Sequence, residues 1–218
     1  MTAAPAAIVD YGLGNLFSIE QACRTAGIVA RVTDRPAEIA RAALVILPGV
    51  GAFGDAMREL RRRDLVSVLR DHAMSGRMLF GVCLGMQLLM DESQEFGTHR
   101  GLGLIPGVVE RLPRQPGTKV PQIGWSKVDA KRSWEHTPLA GIANGSYFYF
   151  VHSFHVRPAD SRDILASSAY GETSYCSAIG SGSVFGVQFH PEKSGPTGLS
   201  VYAGFARLAT APEQAMTA

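Results

Sequence analysis

A cysteine placed between two glycines is the part of the sequence best suited to chemistry. Residues 81–85 read Gly-Val-Cys-Leu-Gly, after an apolar run and before a helical pattern. This order is typical of a nucleophile elbow, in which a tight turn presents the central side chain, and the N–H groups and dipole of the following helix stabilise a thiolate. The alternative is a buried structural cysteine in a glycine-rich turn. The flanking glycines and the strand–helix context favour Cys83 as a nucleophile.

A cysteine nucleophile needs a base, and the best candidate is His190, which is followed by Pro191 and Glu192. Proline favours an extended conformation of the residue before it, and residues two apart in an extended segment face the same way. Glu192 could therefore orient the His190 ring as the third member of a triad. The segment follows a predicted strand, and open α/β sheets carry their sites at strand ends. Taken alone, the segment fits a loop histidine that caps a strand equally well.

A third segment, residues 48–51 (Pro-Gly-Val-Gly), follows another predicted strand. Its glycines permit close backbone approach, and the N–H groups of Gly49, Val50 and Gly51 could face a developing oxyanion. The alternative is a plain turn between a strand and a helix, which this segment alone favours.

The elements that must position these residues follow a β-α-β-α rhythm in the first half of the chain. Short apolar runs predict strands at residues 6–9, 28–32, 43–47 and 78–82. Apolar spacing predicts helices over residues 16–26, over 55–74 as one long amphipathic helix, and from residue 85 to 90. This rhythm is typical of the α/β class, a parallel sheet with helices on both faces.

The second half is rich in strands, which suggests a partly antiparallel addition to the same sheet. A closing helix is predicted over residues 197–208, with Pro196 near its start. No repeat or linker divides the chain, so we expect a single domain over residues 1–218, with an ordered core from about 6 to 209 and a frayed tail over 210–218. The predicted strands of this half are residues 108–112, 120–123, 147–150, 164–168, 175–179 and 184–189.

The composition argues against several classes of function. The 218 residues include 21 Lys and Arg against 19 Asp and Glu, and a net charge of +2 is too small to indicate nucleic acid or a membrane surface as a partner. Three cysteines at irregular spacing predict neither a disulfide framework nor a zinc site, which favours a reducing cytoplasm. No apolar run approaches the ~20 residues of a membrane span. The N-terminus lacks the basic region of a signal peptide, so we expect a cytoplasmic protein.

Taken together, the motifs resemble the class I, or triad, glutamine amidotransferases. The resemblance rests on residues 81–87 (Gly-Val-Cys-Leu-Gly-Met-Gln) and 189–194 (Phe-His-Pro-Glu-Lys-Ser). Within that family the chain is similar to the glutaminase subunits of imidazole glycerol phosphate synthase. This narrower similarity, which runs from about residue 8 to 208, rests on four features: residues 10–16, 48–54 and 149–153, and Met86.

The resemblance implies the amidotransferase α/β fold, a central mixed and mostly parallel sheet with helices on both faces. It also implies hydrolysis of L-glutamine to glutamate and ammonia, with no metal or cofactor. Cys83 would attack the side-chain amide, His190 would transfer the proton, and Glu192 would orient His190. The substrate-binding residues that the resemblance implies are Gly49, Val50, Gly51, Leu84, Gln87, His152 and Ser153.

The resemblance further implies a heterodimer with a (β/α)8-barrel cyclase. That partner would use the ammonia in histidine biosynthesis to form imidazole glycerol phosphate and aminoimidazole carboxamide ribonucleotide. Asn15 and Trp125 are expected on the surface that faces the partner, and core packing is the alternative for Trp125. The family usually has Pro-His-x-Gly-Trp-Asn where residues 121–126 read Pro-Gln-Ile-Gly-Trp-Ser. Gln122 and Ser126 therefore put in doubt any interface hydrogen bond made there by relatives.

Two other functions stay open. One is a glutaminase subunit of another class I system, in anthranilate or aminodeoxychorismate synthesis, although those subunits usually carry His where Met86 stands. The other is a catalytically silent regulatory subunit, which the intact set of Cys83, His190 and Glu192 disfavours. Glutamate release measured with and without a purified cyclase distinguishes the three functions.

Overall fold

A computed structural model describes residues 5–210, so residues 1–4 and the predicted tail beyond Thr210 lie outside the described residues. Among the described residues, α6 is 16 residues long, and no helix is both long and apolar enough to cross a lipid bilayer. The helices are α1 (Leu16–Thr25), α2 (Pro36–Arg41), α3 (Phe53–Arg62), α4 (Leu65–Met74), α5 (Leu84–Leu88) and α6 (Gly195–Thr210), with 3-10 turns at Ser161–Asp163 and Pro191–Lys193. The strands are β1 (Ala6–Val9), β2 (Ala30–Thr33), β3 (Leu44–Leu47), β4 (Met78–Val82), β5 (Glu92–Ser93), β6 (His99–Arg100), β7 (Gly107–Arg111), β8 (Gln122–Lys127), β9 (Asp129–Ala130), β10 (Tyr147–His152), β11 (Phe154–Pro158), β12 (Ile164–Tyr170), β13 (Thr173–Ser181) and β14 (Val184–Val187).

The central sheet is mixed. Its parallel part has the order β2-β1-β3-β4-β14, and β13 then pairs antiparallel with β14 and continues the sheet through β11, β7, β5 and β6. β12 pairs with β13 and with β9, while β8 and β10 form a separate two-stranded antiparallel ribbon. The predicted α/β fold with a mixed central sheet is confirmed.

Alternate residues of the central strands face two different helical layers. Ile8 and Phe80 belong to one buried cluster, in which Phe80 contacts Phe205 of α6 with ring centroids 4.8 Å apart. Leu79 belongs to the other cluster, together with Met57 of α3. Because both faces are covered, these strands are apolar along their whole length rather than alternating.

The predicted long helix over residues 55–74 is wrong. The chain forms α3 and α4 instead, separated at Asp64, whose φ of 55° is left-handed and ends the first helix. Aspartate is one of the few residues other than glycine that adopt this conformation readily. The sequence did not predict this break, because the buried residues Leu60 and Leu65 continue the apolar pattern on both sides of it. The unpredicted α2 begins with Pro36, which is favoured at a first helical position.

The strand-rich second half also differs in detail from the prediction. The strand expected at residues 120–123 begins at Gln122 and reaches Lys127. β5, β6 and β9 have only two residues each, too few for an apolar pattern to reveal them. β11, which pairs with β7 and β13, was not predicted either.

The parallel pairing of β4 with β14 brings the two main motifs together. Val187 lies opposite Val82, and the N–H of Cys83 donates to the carbonyl of Val187 at 2.8 Å. The residues that follow both strands therefore lie side by side at the carboxyl edge of the sheet. The loop after β3 lies at the same edge, because β3 is the other neighbour of β4.

Candidate active site

Cys83 occupies the turn between β4 and α5 with φ of 54° and ψ of −110°, a backbone conformation that is rare outside glycine. The two flanking glycines are required by close contacts. A Cβ on Gly81 would lie 2.7 Å from the backbone of Gly85, and a Cβ on Gly85 would lie 1.8 Å from the carbonyl oxygen of Leu47. The Gly-x-Cys-x-Gly pattern thus reflects a tight turn that no side chain at either glycine position could enter.

His190 and Glu192 form a buried hydrogen-bonded pair. The Nδ1–H of His190 donates to Oε1 of Glu192 at 2.8 Å, and both side chains are almost completely buried. The explanation offered from sequence was partly wrong, because the extended conformation ends at His190 and Glu192 lies in the 3-10 turn Pro191–Lys193. The turn brings the carboxylate back to the ring. Ser194 fixes the turn in place, because its hydroxyl donates to the carbonyl of His190 at 2.7 Å and accepts from the N–H of Tyr149 at 3.0 Å.

The surroundings of His190 favour the imidazolium form. Burial lowers the pKa of His190, but the neighbouring Cys83 sulfur and the Glu192 carboxylate outweigh it and raise this pKa from 6.5 to about 10. Nε2 of His190 has no hydrogen-bond partner among the described residues, and both His190 and Cys83 line one cavity. The arrangement can therefore support an anionic sulfur next to a cationic ring.

The cavity beside Cys83 and His190 has a volume of about 290 Å³. All the substrate-binding residues expected from sequence line it except Gly49. A Cβ on Gly49 would be 2.6 Å from the Tyr11 hydroxyl, which itself donates to the carbonyl of Pro48 at 2.6 Å. Within residues 5–210, no three His, Cys, Asp or Glu side chains are grouped to hold a metal ion. The expected residues that line the cavity are Val50, Gly51, Leu84, Gln87, His152 and Ser153.

Four further residues line the cavity that the sequence did not single out: Glu95, Pro121, Val151 and Phe154. Glu95 is the one with a charge, and its Oε2 accepts from the N–H of Phe53, the first residue of α3, at 2.6 Å. A lone glutamate outside any motif carries no sequence signal. Its partner is 42 residues away along the chain, so only the fold could reveal it.

Gln87 and His152 share a hydrogen-bond acceptor at the cavity wall. Nε2 of Gln87 and Nδ1 of His152 both donate to the carbonyl of Phe154, each at 2.9 Å. Burial lowers the pKa of His152 to about 4, and the nearby His155 and His190 act in the same direction. His152 is therefore neutral, with its proton on Nδ1.

Gln122 and Ser126, which depart from the family pattern, bond to each other. Nε2 of Gln122 donates to the Ser126 hydroxyl at 2.8 Å, and Gln122 is buried opposite His152 in the β8–β10 ribbon. The two side chains lie on the same side of β8 because they are four residues apart in a strand. The side-chain amide nitrogen of Gln122 therefore donates to a partner in its own chain.

Trp125 is 55% exposed, so the core-packing alternative for this residue is wrong. It lies on β8 directly opposite Tyr149 of β10, with their rings in an edge contact at 6.2 Å. Asn15 precedes α1 and is half-buried, and its side chain does not cap that helix. The Pro191–Lys193 turn that carries Glu192 contacts β10, which pairs with the strand of Trp125, and α1, which Asn15 directly precedes.

We expect Cys83 to be the only fast-reacting thiol of the chain. All three cysteines are free, but burial and then the Glu20 charge raise the pKa of Cys23 to about 12, and burial raises the pKa of Cys176 further. Thiolates, not thiols, react with alkylators, so these two should be inert at neutral pH. Mass spectrometry after brief treatment with a glutamine-analogue alkylator locates the label. First modification at Cys23 or Cys176 would refute the assignment.

The chain is similar to known glutamine amidotransferases over almost its whole length. The family model described as Glutamine amidotransferase class-I matches residues 7–207. The Imidazole glycerol phosphate synthase subunit HisH of Chlorobium luteolum is 46% identical over 91% of this chain and 98% of its own length. The protein of the same name from Listeria innocua is 47% identical over 91% of this chain and 93% of its own length.

Solved structures match the fold at low sequence identity. A crystal structure of a glutamine amidotransferase superposes with a TM-score of 0.73 at 19% identity, covering 94% of this chain and 99% of that one. The structure of PurLQS from Thermotoga maritima gives a TM-score of 0.72 at 19% identity, with the same coverage of both chains, 94% and 99%.

Proposed function

Because the chain belongs to the class-I glutamine amidotransferases, and within them to the HisH subunits of imidazole glycerol phosphate synthase, we propose that it hydrolyses L-glutamine and supplies ammonia to a cyclase subunit. One observation carries the proposal. The Cys83 elbow and the bonded pair of His190 and Glu192 meet at one cavity wall. A nucleophile, a base and a group that orients the base are the parts that amide hydrolysis through a thioester needs.

The first half of the reaction forms a thioester. The Cys83 sulfur attacks the side-chain amide carbon of glutamine, and the proton held by His190 goes to the leaving nitrogen, which departs as ammonia. Glu192 keeps the proton of Nδ1 in place, so that Nε2 of His190 does the transfer. In the second half His190 takes a proton from water, the hydroxyl attacks the thioester carbon, and glutamate leaves as the sulfur is released.

Backbone donors at the same edge of the sheet would stabilise the tetrahedral oxyanion. The candidates are the N–H groups of the loop at Gly49, Val50 and Gly51 and that of Leu84, next to the nucleophile. Removing one such donor costs about 3–4 kcal/mol in hydrolases of other folds. We also propose that Glu95 and Gln87 hold the α-amino end of the substrate. Both line the cavity, and within residues 5–210 the buried Glu95 carboxylate accepts from a single backbone N–H, that of Phe53.

We propose that the cyclase docks on the β8–β10 ribbon. Ile123, Trp125 and Tyr147 are large apolar side chains exposed on it, and Val151, at the end of the same strand pair, lines the cavity. Exposed apolar patches of this kind mark interaction sites. Ammonia is mostly protonated in neutral water and is then not nucleophilic, so a partner seated over the cavity mouth would receive it directly, before it reached bulk water.

The proposed function predicts a poor glutaminase in isolation and strong stimulation by a cyclase with its ligand bound. Gly51 has a φ of 101° and open space where a Cβ would lie, and the adjacent Val50 is exposed, so this end of the oxyanion loop is not packed against the rest of the chain. A partner that binds the active loop conformation preferentially shifts the population toward it. The measurement is glutamate release with and without the purified cyclase.

The same assay separates the alternatives. Full turnover by the isolated chain would contradict the activation proposed here. No glutamate under any condition would indicate a silent regulatory subunit. Turnover that responds to an anthranilate- or aminodeoxychorismate-forming enzyme but not to the cyclase would indicate another class I system.

Replacing Trp125 with alanine should weaken the complex by about 2 kcal/mol or more, roughly 30-fold in Kd, because exposed tryptophans are frequent interface anchors. The melting temperature of the free chain should hardly change, since the side chain is mostly exposed. Trp134 is the matched control, because it is buried and its Nε1–H donates to Leu165 at 3.0 Å. Trp134→Ala should destabilise the chain by about 3–5 kcal/mol. For both variants, titration calorimetry measures affinity for the cyclase and thermal melts measure stability. Unchanged affinity in Trp125→Ala would end the interface proposal.

A further inference from the structure

A second side chain besides His190 is directed at the Cys83 sulfur. Gln188 is completely buried, and its Nε2 lies 3.6 Å from Sγ of Cys83 in donor geometry. We propose that Gln188 is a catalytic residue that donates an N–H hydrogen bond to this sulfur and stabilises its anionic form. The inference rests on the proposed role of Cys83 as the nucleophile.

The position of Gln188 follows from the strand that carries the base. Gln188 comes directly after β14 and its N–H donates to the carbonyl of Ser177 at 2.9 Å, which keeps it in the sheet. His190 is two residues further in extended backbone, so both side chains face the same way. The backbone N–H of Cys83 donates to the carbonyl of Val187 in the neighbouring strand. The Cys83 sulfur therefore lies next to the side chains of Gln188 and His190.

A chain of hydrogen bonds determines which end of the Gln188 amide faces the sulfur. The carbonyl of Phe154 can only accept, so Gln87 must present its Nε2 to it, at 2.9 Å. The same Nε2 donates to Oε1 of Gln188 at 3.1 Å. With its oxygen engaged by Gln87, Gln188 is left with its amide N–H groups toward Cys83. A backbone carbonyl thus fixes the direction of the donor through two buried side chains.

The donor from Gln188 differs from His190 in what it can do during the cycle. The imidazole gives up its proton and takes it back, whereas an amide N–H at neutral pH only donates a hydrogen bond. Gln188 can therefore stabilise the sulfur anion twice, before attack on the substrate and again when the sulfur leaves the thioester. Hydrogen bonds to charged groups are stronger than those between neutral groups.

The test uses the full chain and three variants. Gln188→Met keeps the length and volume of the side chain but cannot donate. Gln188→Glu still accepts from Gln87 but places a second carboxylate oxygen against the sulfur. Val184→Ala is the control for stability alone, because Val184 is buried at the far end of the same strand, has no side-chain donor and does not line the cavity. The rate of Cys83 alkylation by iodoacetamide is measured against pH for each, together with thermal melts and with kcat and KM for glutamine in the complex.

We expect Gln188→Met to slow alkylation at neutral pH by about tenfold and to move the midpoint of the pH profile upward by about one unit, since one unit corresponds to tenfold. Its kcat should fall while KM stays close to that of the unaltered chain. Gln188→Glu should move the midpoint at least as far, and Val184→Ala should lower only the melting temperature.

An unaltered midpoint in both Gln188 variants, or a loss that appears only in KM, would overturn the inference. A midpoint shift of the same size in Val184→Ala would also overturn it. The unaltered chain tests the proposed function separately. If it released no glutamate with the cyclase, the proposed function would fail, whereas normal release together with unaltered Gln188 variants would reject only the role of Gln188.

Discussion

Replacing Cys83 with alanine is expected to abolish glutamine-dependent product formation by the complex and to leave ammonia-dependent formation intact. The sulfur at the β4–α5 turn is the proposed nucleophile, and it lies on the cavity wall next to His190. Removing the nucleophile of a hydrolase triad lowers turnover by about 10⁴-fold or more. The measurement compares product formation from glutamine with product formation from added ammonium salts, both in the presence of the cyclase.

Two controls make this result decisive. Cys176→Ala removes another buried thiol that does not line the cavity, and it should keep glutamine-dependent activity. Cys83→Ala should still bind the cyclase in titration calorimetry. If the ammonia-dependent reaction were lost as well while the complex formed, Cys83 would do more than release ammonia, and the proposed division between the subunits would be wrong.

Glu192→Gln should lower kcat for glutamine hydrolysis by about two to four orders of magnitude, as loss of the orienting carboxylate does in other triads. Oε1 of Glu192 accepts from Nδ1 of His190 at 2.8 Å, and its charge helps to raise the pKa of His190. A neutral amide removes that charge, so the pKa of His190 should fall. An amide that turned its NH2 toward Nδ1 would also favour the wrong tautomer.

The expected pH behaviour distinguishes this role from a structural one. With the pKa of His190 lowered, the fraction of imidazolium at a given alkaline pH should fall, and the alkaline limb of the kcat profile should move toward neutral pH. Arg162→Ala is an exposed control that removes an ion pair with Asp160, and it should leave the profile unchanged. A Glu192→Gln chain that melted normally and kept full kcat would show that His190 needs no orienting group.

Local patterns were sufficient for much of the scaffold. The strands β1, β3 and β4 are short runs of apolar residues buried on both faces, so their positions could be predicted from these local apolar runs alone. The helix break at Asp64 did not, because a single left-handed residue leaves the apolar spacing on either side almost unchanged. The two-residue strands were missed for a related reason, since no periodicity exists over two residues.

What the sequence by itself determined is the local chemistry of the motifs. The turn at Cys83 itself demands glycine at position 81, because a Cβ there would strike the backbone of Gly85, whereas glycine at position 85 is demanded by Leu47 of the neighbouring strand. The carboxylate that orients His190 is only two residues away along the chain, in the short 3-10 turn that begins directly after His190.

The tertiary structure alone decided the rest of the site. Glu95 reaches the N–H of Phe53 only because the fold brings together two residues that are 42 apart in sequence. The exposure of Trp125 depends on which face of the β8–β10 ribbon the core covers. The direction of the Gln188 amide depends on a carbonyl at Phe154. Conformational demands within a few residues are written in the local sequence, whereas contacts between distant residues depend on how whole strands and helices pack.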